Sequence, residues 1–347
     1  MNEAFRVAVL VEPGHIELQE ERRALPQPGA ILVRVRAALT DGTDLKTYRR
    51  GHPQMPFPTR FGHEFSGDVV AVGEDVQNFS VGDAVMSTHT APCGSCFWCK
   101  AEQEELCERV MPEMLLGAYA EYIEIPKRVV ERNCFLKPPS LSYQEAAFLE
   151  PLSCVVHSVE TLVFVGGKQS LRTAAIMGDG AFGVLHALVL RERGVRPLLI
   201  GRRAERLEVA RAYGLDPIDA RMDDVPAVIR GRTDGRGADA VIECTGTQTA
   251  WEQAPAHVRR GGVVSLFGGL PSGSTVMFSA ERLHYDEVRI ISPFHFTPRA
   301  VRAAHDLLTS QRFDLLPLVT HTYPLTRISD VFRRLDAGEG MKACIEP

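Results

Sequence analysis

A short glycine motif sets the strongest limit on how this chain can fold. Residues 178–183 read Gly-Asp-Gly-Ala-Phe-Gly, a G-x-G-x-x-G pattern that follows an apolar predicted strand, 174–177, and opens a predicted helix, 183–193. The first two glycines permit a tight turn and the close approach of a pyrophosphate, and the third lets helix and strand pack together. The helix N-terminus adds backbone N–H groups and a positive dipole for phosphates. In this context the motif predicts binding of a dinucleotide.

The alternation of strand and helix continues beyond the motif. A predicted helix at 204–213 lies among further apolar strands at 197–200, 240–242 and 263–266. Such alternation is typical of a parallel sheet covered by helices on both faces. We therefore predict a doubly wound parallel-sheet domain over residues 155–292.

The first 150 residues have a different pattern. Short β-branched runs separated by glycine and proline occur at 31–35, 67–72 and 120–125. This spacing predicts an all-β, barrel-like unit. The tail contains a predicted helix at 298–308 and a closing strand at 342–345, and we expect it to return to the first unit. The predicted first domain is thus 1–154 together with 293–347.

Composition excludes several classes of function. With 347 residues, 45% of them hydrophobic and 24% charged, the chain is long enough for two domains, each with its own core. The net charge of −5 and the lack of a basic cluster with interleaved aromatic residues argue against nucleic acid as a partner. No apolar run approaches the roughly 20 residues that span a bilayer, and the N-terminus has no signal-peptide layout. We expect a cytoplasmic protein without membrane partners.

The end of the strand after the glycine motif bears on the choice of dinucleotide. An Asp or Glu there would bind the adenosine ribose 2′-OH of NAD, but the position holds Gly201, followed by Arg202 and Arg203. A guanidinium can pair with a 2′-phosphate through two parallel hydrogen bonds. The sequence therefore favours NADP. The alternative is that both arginines are solvated loop charges and that NAD is accepted as well.

Four of the eight cysteines are clustered as Cys93-x-x-Cys96-x-x-Cys99-x7-Cys107. Cysteines of a cytoplasmic chain stay reduced, so this spacing favours a metal over disulfides. Four thiolates fill a tetrahedral zinc site and leave no position for water or substrate. The predicted role is structural; the alternative is redox-active or adventitiously clustered cysteines.

The order of these motifs resembles the zinc-dependent medium-chain dehydrogenase/reductase (alcohol dehydrogenase) family. Gly62-His63-Glu64 comes first, the four-cysteine segment follows, and Leu149-Glu150-Pro151-Leu152 precedes the glycine motif. The resemblance covers essentially the whole chain. It implies a GroES-like β-barrel catalytic domain, a Rossmann cofactor domain and a homodimer or homotetramer. Glu150 before Pro151 is similar to the polyol, threonine and glucose dehydrogenase branches, which implies hydride transfer between NADP and a polyol, sugar or amino-alcohol.

The resemblance also implies a second metal, held by the residue at position 41, by His63, and by Glu64 or Glu150 directly or through water. The chain departs from the family pattern here, because Asp41 stands where a cysteine is usual. Carboxylate is an accepted zinc ligand at about 2.0–2.2 Å, but it is harder than thiolate. We predict a more labile ion and a wider tolerance for manganese or magnesium. The alternative is that Asp41 only caps a turn beside Gly42 and that the site holds no metal.

Further site residues are implied by the resemblance. Thr43 matches the hydroxyl that takes the alcohol proton. Lys46 lies where many relatives have a histidine; being protonated at neutral pH, it would complement an anionic substrate or the cofactor phosphates. Besides the three motif glycines, Gly201, Arg202 and Arg203, the expected cofactor contacts are Ala181, Phe182, Arg206, Thr245, Phe267, Gly268 and Phe294.

Two other functions stay open on the sequence. One is a metal-free NADPH reductase of quinones or enones on the same scaffold, against which His63, Glu64 and Glu150 argue, since such enzymes have no use for ligands. The other is a non-catalytic NADPH-binding protein that keeps only the structural zinc. Residues able to contact a substrate, each equally explained by packing, are Tyr48, His89, Trp98, His157 and His295.

Overall fold

The computed structural model describes residues 3–52, 55–167 and 171–347. The chain divides into two compact units. Unit 1 consists of Met1–Ser153 and Phe296–Pro347, and unit 2 of Cys154–His295.

Unit 1 contains ten strands and six helices within its described residues. The strands are β1 (Ala4–Glu12), β2 (His15–Arg22), β3 (Ile31–Leu39), β4 (Thr59–Arg60), β5 (Glu64–Val72), β6 (Ala84–Ser87), β7 (Tyr122–Ile125), β8 (Cys134–Leu136), β15 (Val319–Pro324) and β16 (Lys342–Glu346). The helices are α1 (Gly42–Arg50), α2 (Phe97–Lys100), α3 (Lys127–Arg132), α4 (Tyr143–Ala146), α10 (Pro298–Thr309) and α11 (Ile328–Asp336).

The strands of unit 1 form open sheets. One has the order β2-β1-β4, and the larger one has the order β15-β16-β3-β5-β6-β8, with β7 paired to β3. Over the described residues the path does not close, so the expected barrel is corrected to open sheets with added helices. The predicted strands at 31–35, 67–72, 120–125 and 342–345 are confirmed. The last strand, β16, is antiparallel to β3, which brings the tail back to unit 1.

The core of unit 1 explains why these segments fold as they do. In β3 the exposed side chains Arg34 and Arg36 alternate with buried Val33 and Val35, so one side faces solvent. In α11 the buried residues Ile328, Val331 and Phe332 recur at the spacing that places them on one side of a helix. Phe332 lies against the rings of Tyr48, Phe61 and Tyr119, which places Tyr48 in the core.

Unit 2 is a parallel sheet with helices between its strands. The strands are β9 (Thr173–Met177), β10 (Arg196–Gly201), β11 (Ile218–Asp219), β12 (Ala238–Glu243), β13 (Val258–Leu266) and β14 (Arg289–Ile291); the helices are α6 (Ala181–Glu192), α7 (Ala204–Ala212), α8 (Val225–Gly231) and α9 (Gln248–Gln253). The order β11-β10-β9-β12-β13-β14 reverses direction at β9. This is the doubly wound order, and a ligand crevice is expected beyond the strand ends where the order reverses.

Helix α5 (Leu149–Gly166) spans the boundary between the units. Within the described residues, the helical stretch Tyr143–Gly166 is long and apolar enough to cross a membrane, with a mean hydropathy of 1.5 over its most apolar window. This stretch is longer and more apolar than the sequence prediction allowed. Because 61% of that window is buried inside the protein, the helix is also what a core helix of a globular protein looks like.

Candidate metal centre and nucleotide site

Asp41 lies at the N-cap of α1, where its two carboxylate oxygens have different surroundings. Oδ2 accepts a hydrogen bond of 2.9 Å from the Thr43 backbone N–H, and the Asp44 carboxylate accepts one of 3.3 Å from the Asp41 N–H. The pair forms a capping box. Asp41 Oδ1 is buried and has no hydrogen-bond partner. The capping role that the sequence left open is therefore present, but it uses only one oxygen.

His63 is held in one orientation by a carboxylate behind it. Its Nδ1 lies 3.2 Å from Asp44 Oδ1, while its Nε2 points to the Asp41 carboxylate at 3.6 Å from Oδ2. The Tyr119 hydroxyl donates to Asp44 Oδ2 at 2.6 Å. A histidine that donates its far nitrogen to a carboxylate and turns the near one to the site is the usual arrangement of a metal-ligating imidazole.

The position immediately before His63 requires a glycine. Gly62 has a φ of +87°, and a Cβ at this position would lie 2.7 Å from the Tyr119 ring. The local backbone thus places His63 over Asp44 and leaves room for the tyrosine that supports Asp44.

Charge balance inside the site favours an anionic Asp41 and a cationic His63. Burial by itself raises the pKa of Asp41, but the charges of Lys342 and His63 and the hydrogen bonds from Thr43 outweigh it and lower that pKa. Burial lowers the pKa of His63, yet Asp44, Glu150 and Asp41 raise it well above its usual value. In the absence of an ion, the negative charges of these carboxylates favour protonation of His63.

Glu64 is fully buried at the start of β5 and is paired with a lysine. Lys342 Nζ lies 2.6 Å from both Glu64 oxygens and donates to the Thr40 carbonyl at 2.9 Å. Burial lowers the pKa of Lys342, and the adjacent Glu64 and Asp41 raise it above its usual value. Burial raises the pKa of Glu64 well above its usual value, although the Lys342 charge opposes the rise. Glu64 would have to share its oxygens between Lys342 and an ion.

Glu150 lies near the same group but contacts another residue. The nitrogen Nδ1 of His89 is 3.3 Å from Glu150 Oε1, and the His89 ring lies edge-on against His63 with centroids 4.8 Å apart. Burial raises the pKa of Glu150, and His89 and His63 lower it below its usual value. Glu150 is not part of the compact ligand group, so of the two glutamates the structure places Glu64 closest to Asp41 and His63.

These residues fit a divalent cation. One ligand atom from each of Asp41, His63 and Glu64 lies within 4.8 Å of the others, and all three residues are buried. Two carboxylates and one imidazole suit zinc as well as harder ions. The partnerless Asp41 Oδ1 is the observation that favours an ion over a simple ion-pair network, because a buried carboxylate oxygen without a donor is costly.

The four clustered cysteines form a second compact group. Their sulfurs lie within 4.8 Å of one another, with Cys93 to Cys99 at 3.9 Å and Cys96 to Cys99 at 3.6 Å. A tetrahedral zinc with Zn–S bonds of about 2.3 Å gives sulfur separations of about 3.8 Å. Backbone N–H groups also point to the sulfurs, among them Gly94 to Cys99 at 3.3 Å. The cluster fits a closed structural zinc.

The glycine turn of unit 2 has the geometry that its sequence requires. Gly178 has a φ of +127°, and a Cβ on Gly183 would lie 1.9 Å from the Gly178 carbonyl oxygen, so the first and third glycines are both needed. A Cβ on Gly180 would meet only Arg206 Nη1, at 3.9 Å. The second glycine therefore faces open space at the start of α6, where phosphates bind.

A cavity of about 960 Å³ lies at the carboxyl ends of the unit 2 strands. Five predicted cofactor residues line it: Gly178, Gly201, Arg202, Arg203 and Thr245. It is also lined by residues that the sequence analysis did not single out, including Asp179, Asp223, Asp224 and Thr247. A cavity of this size at this edge of a doubly wound sheet suits a nucleotide.

Other predicted residues have different surroundings. Phe182 and Phe267 contact each other with ring centroids 5.1 Å apart, and the Gly268 carbonyl accepts from Trp251 Nε1 at 2.8 Å. Phe294 is half exposed. In unit 1, Thr43 is exposed and Lys46 is half-buried on α1.

Comparison with known proteins agrees with this geometry. Residues 27–134 match the alcohol dehydrogenase GroES-like domain, and residues 181–310 match the zinc-binding dehydrogenase family. The chain is 32% identical to sorbitol dehydrogenase of Bacillus subtilis (strain 168) over 315 residues, 88% of this chain and 86% of that one. It is 30% identical to D-arabitol-phosphate dehydrogenase of Enterococcus avium over 342 residues, 96% of this chain and 95% of that one.

A solved structure extends the likeness to three dimensions. A protein of Sinorhizobium meliloti 1021 assigned as a zinc-binding dehydrogenase and solved bound to NADP shows a TM-score of 0.89 and 28% identity, covering 99% of this chain and 100% of that one. The chain belongs to the zinc-dependent medium-chain dehydrogenase family. This dehydrogenase has a GroES-like domain and a Rossmann-like domain, and it is an oxidoreductase of the alcohol dehydrogenase type.

Three residues of the candidate metal centre were not found from the sequence. Asp44 and Tyr119 support His63, and Lys342 neutralises Glu64. The signal for Asp44 was available, because an acidic residue three positions after an aspartate at a helix start is a capping pattern. Lys342 was predicted only as the first residue of the closing strand at 342–345, and Tyr119 carried no signal. His89, considered as a substrate contact, proves to be a partner of Glu150.

Proposed function

We propose that this dehydrogenase is a metal-dependent, NADP-linked oxidoreductase of secondary alcohols, with a polyol, sugar or amino-alcohol as substrate. The observation that carries the proposal is the buried Asp41 Oδ1, which has no hydrogen-bond partner, in a carboxylate whose other oxygen lies 3.6 Å from the oriented His63 Nε2. Such a donor set has no purpose in a metal-free reductase. The sorbitol and arabitol-phosphate dehydrogenase names of relatives support the substrate class, and the NADP-bound neighbour supports the cofactor.

Each residue of the site has its own role in the proposed reaction. A bound divalent cation would polarise the substrate hydroxyl, and NADP would accept the hydride. Asp41 and His63 would hold the cation, and Asp44 would keep the imidazole nitrogen turned to it. Lys342 keeps the buried Glu64 charge balanced. Thr43 would take the hydroxyl proton while passing its own on toward solvent, and Lys46 would attract anionic groups. The cytoplasmic location and the homodimeric or homotetrameric state stay predictions.

The test replaces Asp41 by asparagine. Asp41→Asn can still accept the Thr43 N–H and so preserves the helix cap, but it removes the anionic ligand. We expect the purified parent to hold two metals per chain and the variant to hold one. Activity toward a panel of polyols, aldoses and amino-alcohols should fall at least about a hundredfold, because loss of even a residue that supports a metal ligand typically costs about 10–100-fold. Elemental analysis and NADP⁺ reduction rates are the measurements.

Asp314→Asn is the matched control. Asp314 is exposed and its Oδ1 accepts the Leu316 N–H at 2.9 Å, so the same change is made at a second aspartate that holds a backbone N–H two residues ahead. This control should retain two metals and full activity. One metal in the parent would favour the metal-free reductase or the non-catalytic NADPH-binding protein. An unchanged rate in Asp41→Asn would remove Asp41 from the mechanism.

A further inference from the structure

Asp179, the second residue of the glycine turn, reaches across to the end of β10. Its Oδ2 accepts hydrogen bonds from the backbone N–H groups of Arg202 at 2.7 Å and Arg203 at 2.8 Å. A Cβ on Gly201 would lie 2.5 Å from the Asp179 Cβ and 2.7 Å from Oδ2. A side chain at position 201 and the Asp179 carboxylate therefore exclude each other.

This arrangement changes the interpretation of Gly201 as an indicator of cofactor preference. The end of this strand is where an acidic residue binds the ribose 2′-OH of NAD. From the sequence alone, a glycine there predicts a position free of negative charge. In the structure the charge is present, because the carboxylate of Asp179 comes from the neighbouring turn and fills the space that the glycine leaves.

The same carboxylate faces a third arginine. Arg206 Nη1 lies 3.7 Å from Asp179 Oδ1 and 3.9 Å from where a Cβ on Gly180 would stand, and its side chain is mostly buried. Arg206 is thus held above the glycine turn by Asp179. A 2′-phosphate entering this region would meet the arginines and the carboxylate together, and like charges repel in a partly buried site far more than in water.

We propose that Asp179 determines the balance between NADP and NAD by engaging Arg206 in an ion pair with which a 2′-phosphate must compete. The proposal rests on the nucleotide binding proposed above for this cavity. Asp179 lowers the preference for NADP below what Arg202, Arg203 and Arg206 would give alone. At the same time it orders the backbone of the loop that carries two of them.

Asp179→Asn separates these two effects. The amide oxygen can accept the same two backbone N–H groups, while the negative charge is removed. We expect the dissociation constant for NADPH to fall roughly three- to tenfold, and that for NADH to change less than about twofold. Isothermal titration of both dinucleotides measures this without any substrate. Glu208→Gln is the matched control, since Glu208 is an exposed carboxylate on α7 that pairs with Arg211; it should leave the ratio of the two constants unchanged.

A second variant shows whether Asp179 acts through Arg206. In an Arg206→Met background, Asp179→Asn should give less than half the improvement in NADPH binding that it gives alone. An unchanged ratio in Asp179→Asn, or weaker NADPH binding, overturns the proposal while nucleotide binding by the parent stands. A parent that binds neither dinucleotide overturns the proposed function, and this inference with it.

Discussion

At residue 41 a carboxylate can serve a helix and an ion at once, because its two oxygens face different groups. Oδ2 accepts the Thr43 N–H and Oδ1 is left without a donor. A cysteine has one sulfur and could not cap α1 in this way while ligating an ion. Aspartate in place of cysteine therefore lets one residue both cap the helix and ligate an ion. It also makes the set of metal ligands chemically harder.

Lys342 stabilises this group of residues through a buried ion pair. Its side chain is 2% exposed, and its ammonium nitrogen lies 2.6 Å from both oxygens of a fully buried Glu64. Lys342→Met leaves that carboxylate without its partner, and breaking a buried pair typically costs about 3–5 kcal/mol. We expect a loss of this size in the free energy of unfolding, measured with urea at pH 8. The double variant Lys342→Met/Glu64→Gln, which removes both charges, should recover most of it.

The pH dependence of this pair has a definite sign. The folded-state pKa of Lys342 is raised, so its contribution is fully present below the unfolded-state value of about 10.4 and is lost only as pH rises through the folded value. The Lys342 charge itself therefore contributes equally at pH 7 and pH 9. Lys342→Met, however, leaves Glu64 without the charge that opposes the rise of its pKa, so the variant should cost at least as much at pH 9 as at pH 7. Equal destabilisation by the single and double variants would show that the pair contributes nothing beyond its packing.

At the scale of elements, long periodic segments were predictable and short connections were not. The helix predicted at 204–213 is observed as Ala204–Ala212, and the strand predicted at 174–177 as Thr173–Met177. The pairing of β16 with β3, which brings Lys342 to Glu64, depends on contacts some 300 residues apart in the chain, and no local pattern contains it. Nor did any local pattern predict that the Asp179 carboxylate fills the space beside Gly201.

Helix α6 carries a buried histidine whose titration can be measured. His186 lies between the Phe182 carbonyl at 2.7 Å and the Ser158 hydroxyl at 3.1 Å. Burial lowers its pKa to about 4. The unfolded chain binds a proton below about pH 6.5, where the folded chain does not, so stability falls as pH falls. Between pH 7.5 and pH 5 we expect this group to account for about 2 kcal/mol of lost stability.

The comparison that checks this is urea unfolding of the parent and of His186→Asn at both pH values. The variant should lack this part of the decline, because its amide does not titrate. His284→Asn, which changes an exposed histidine of the same unit, should decline as the parent does. An identical decline in His186→Asn would mean that other groups carry the acid sensitivity.

At the scale of the whole molecule, chemistry is divided between the two units, and each unit carries one of the two tryptophans. Trp98 lies between Cys96 and Cys99 in unit 1, so its fluorescence reports on the four-cysteine segment. Trp251 of unit 2 donates from Nε1 to the Gly268 carbonyl, beside the cavity-lining Ala250. The sequence itself thus supplies a separate probe for metal and for nucleotide.

Single-tryptophan variants should therefore resolve two different ligand responses. In Trp251→Phe, where only Trp98 emits, a chelator should lower the urea midpoint, because metal binding to a structural zinc site contributes directly to folding. In Trp98→Phe, NADPH at a hundred times its dissociation constant should stabilise the Trp251 transition by about 2.7 kcal/mol, since ligand binds only the folded state. Chelator should leave that second transition in place. If metal and NADPH instead move both midpoints by equal amounts, the two units unfold as one cooperative body, and ligand binding in either would stabilise the whole dehydrogenase.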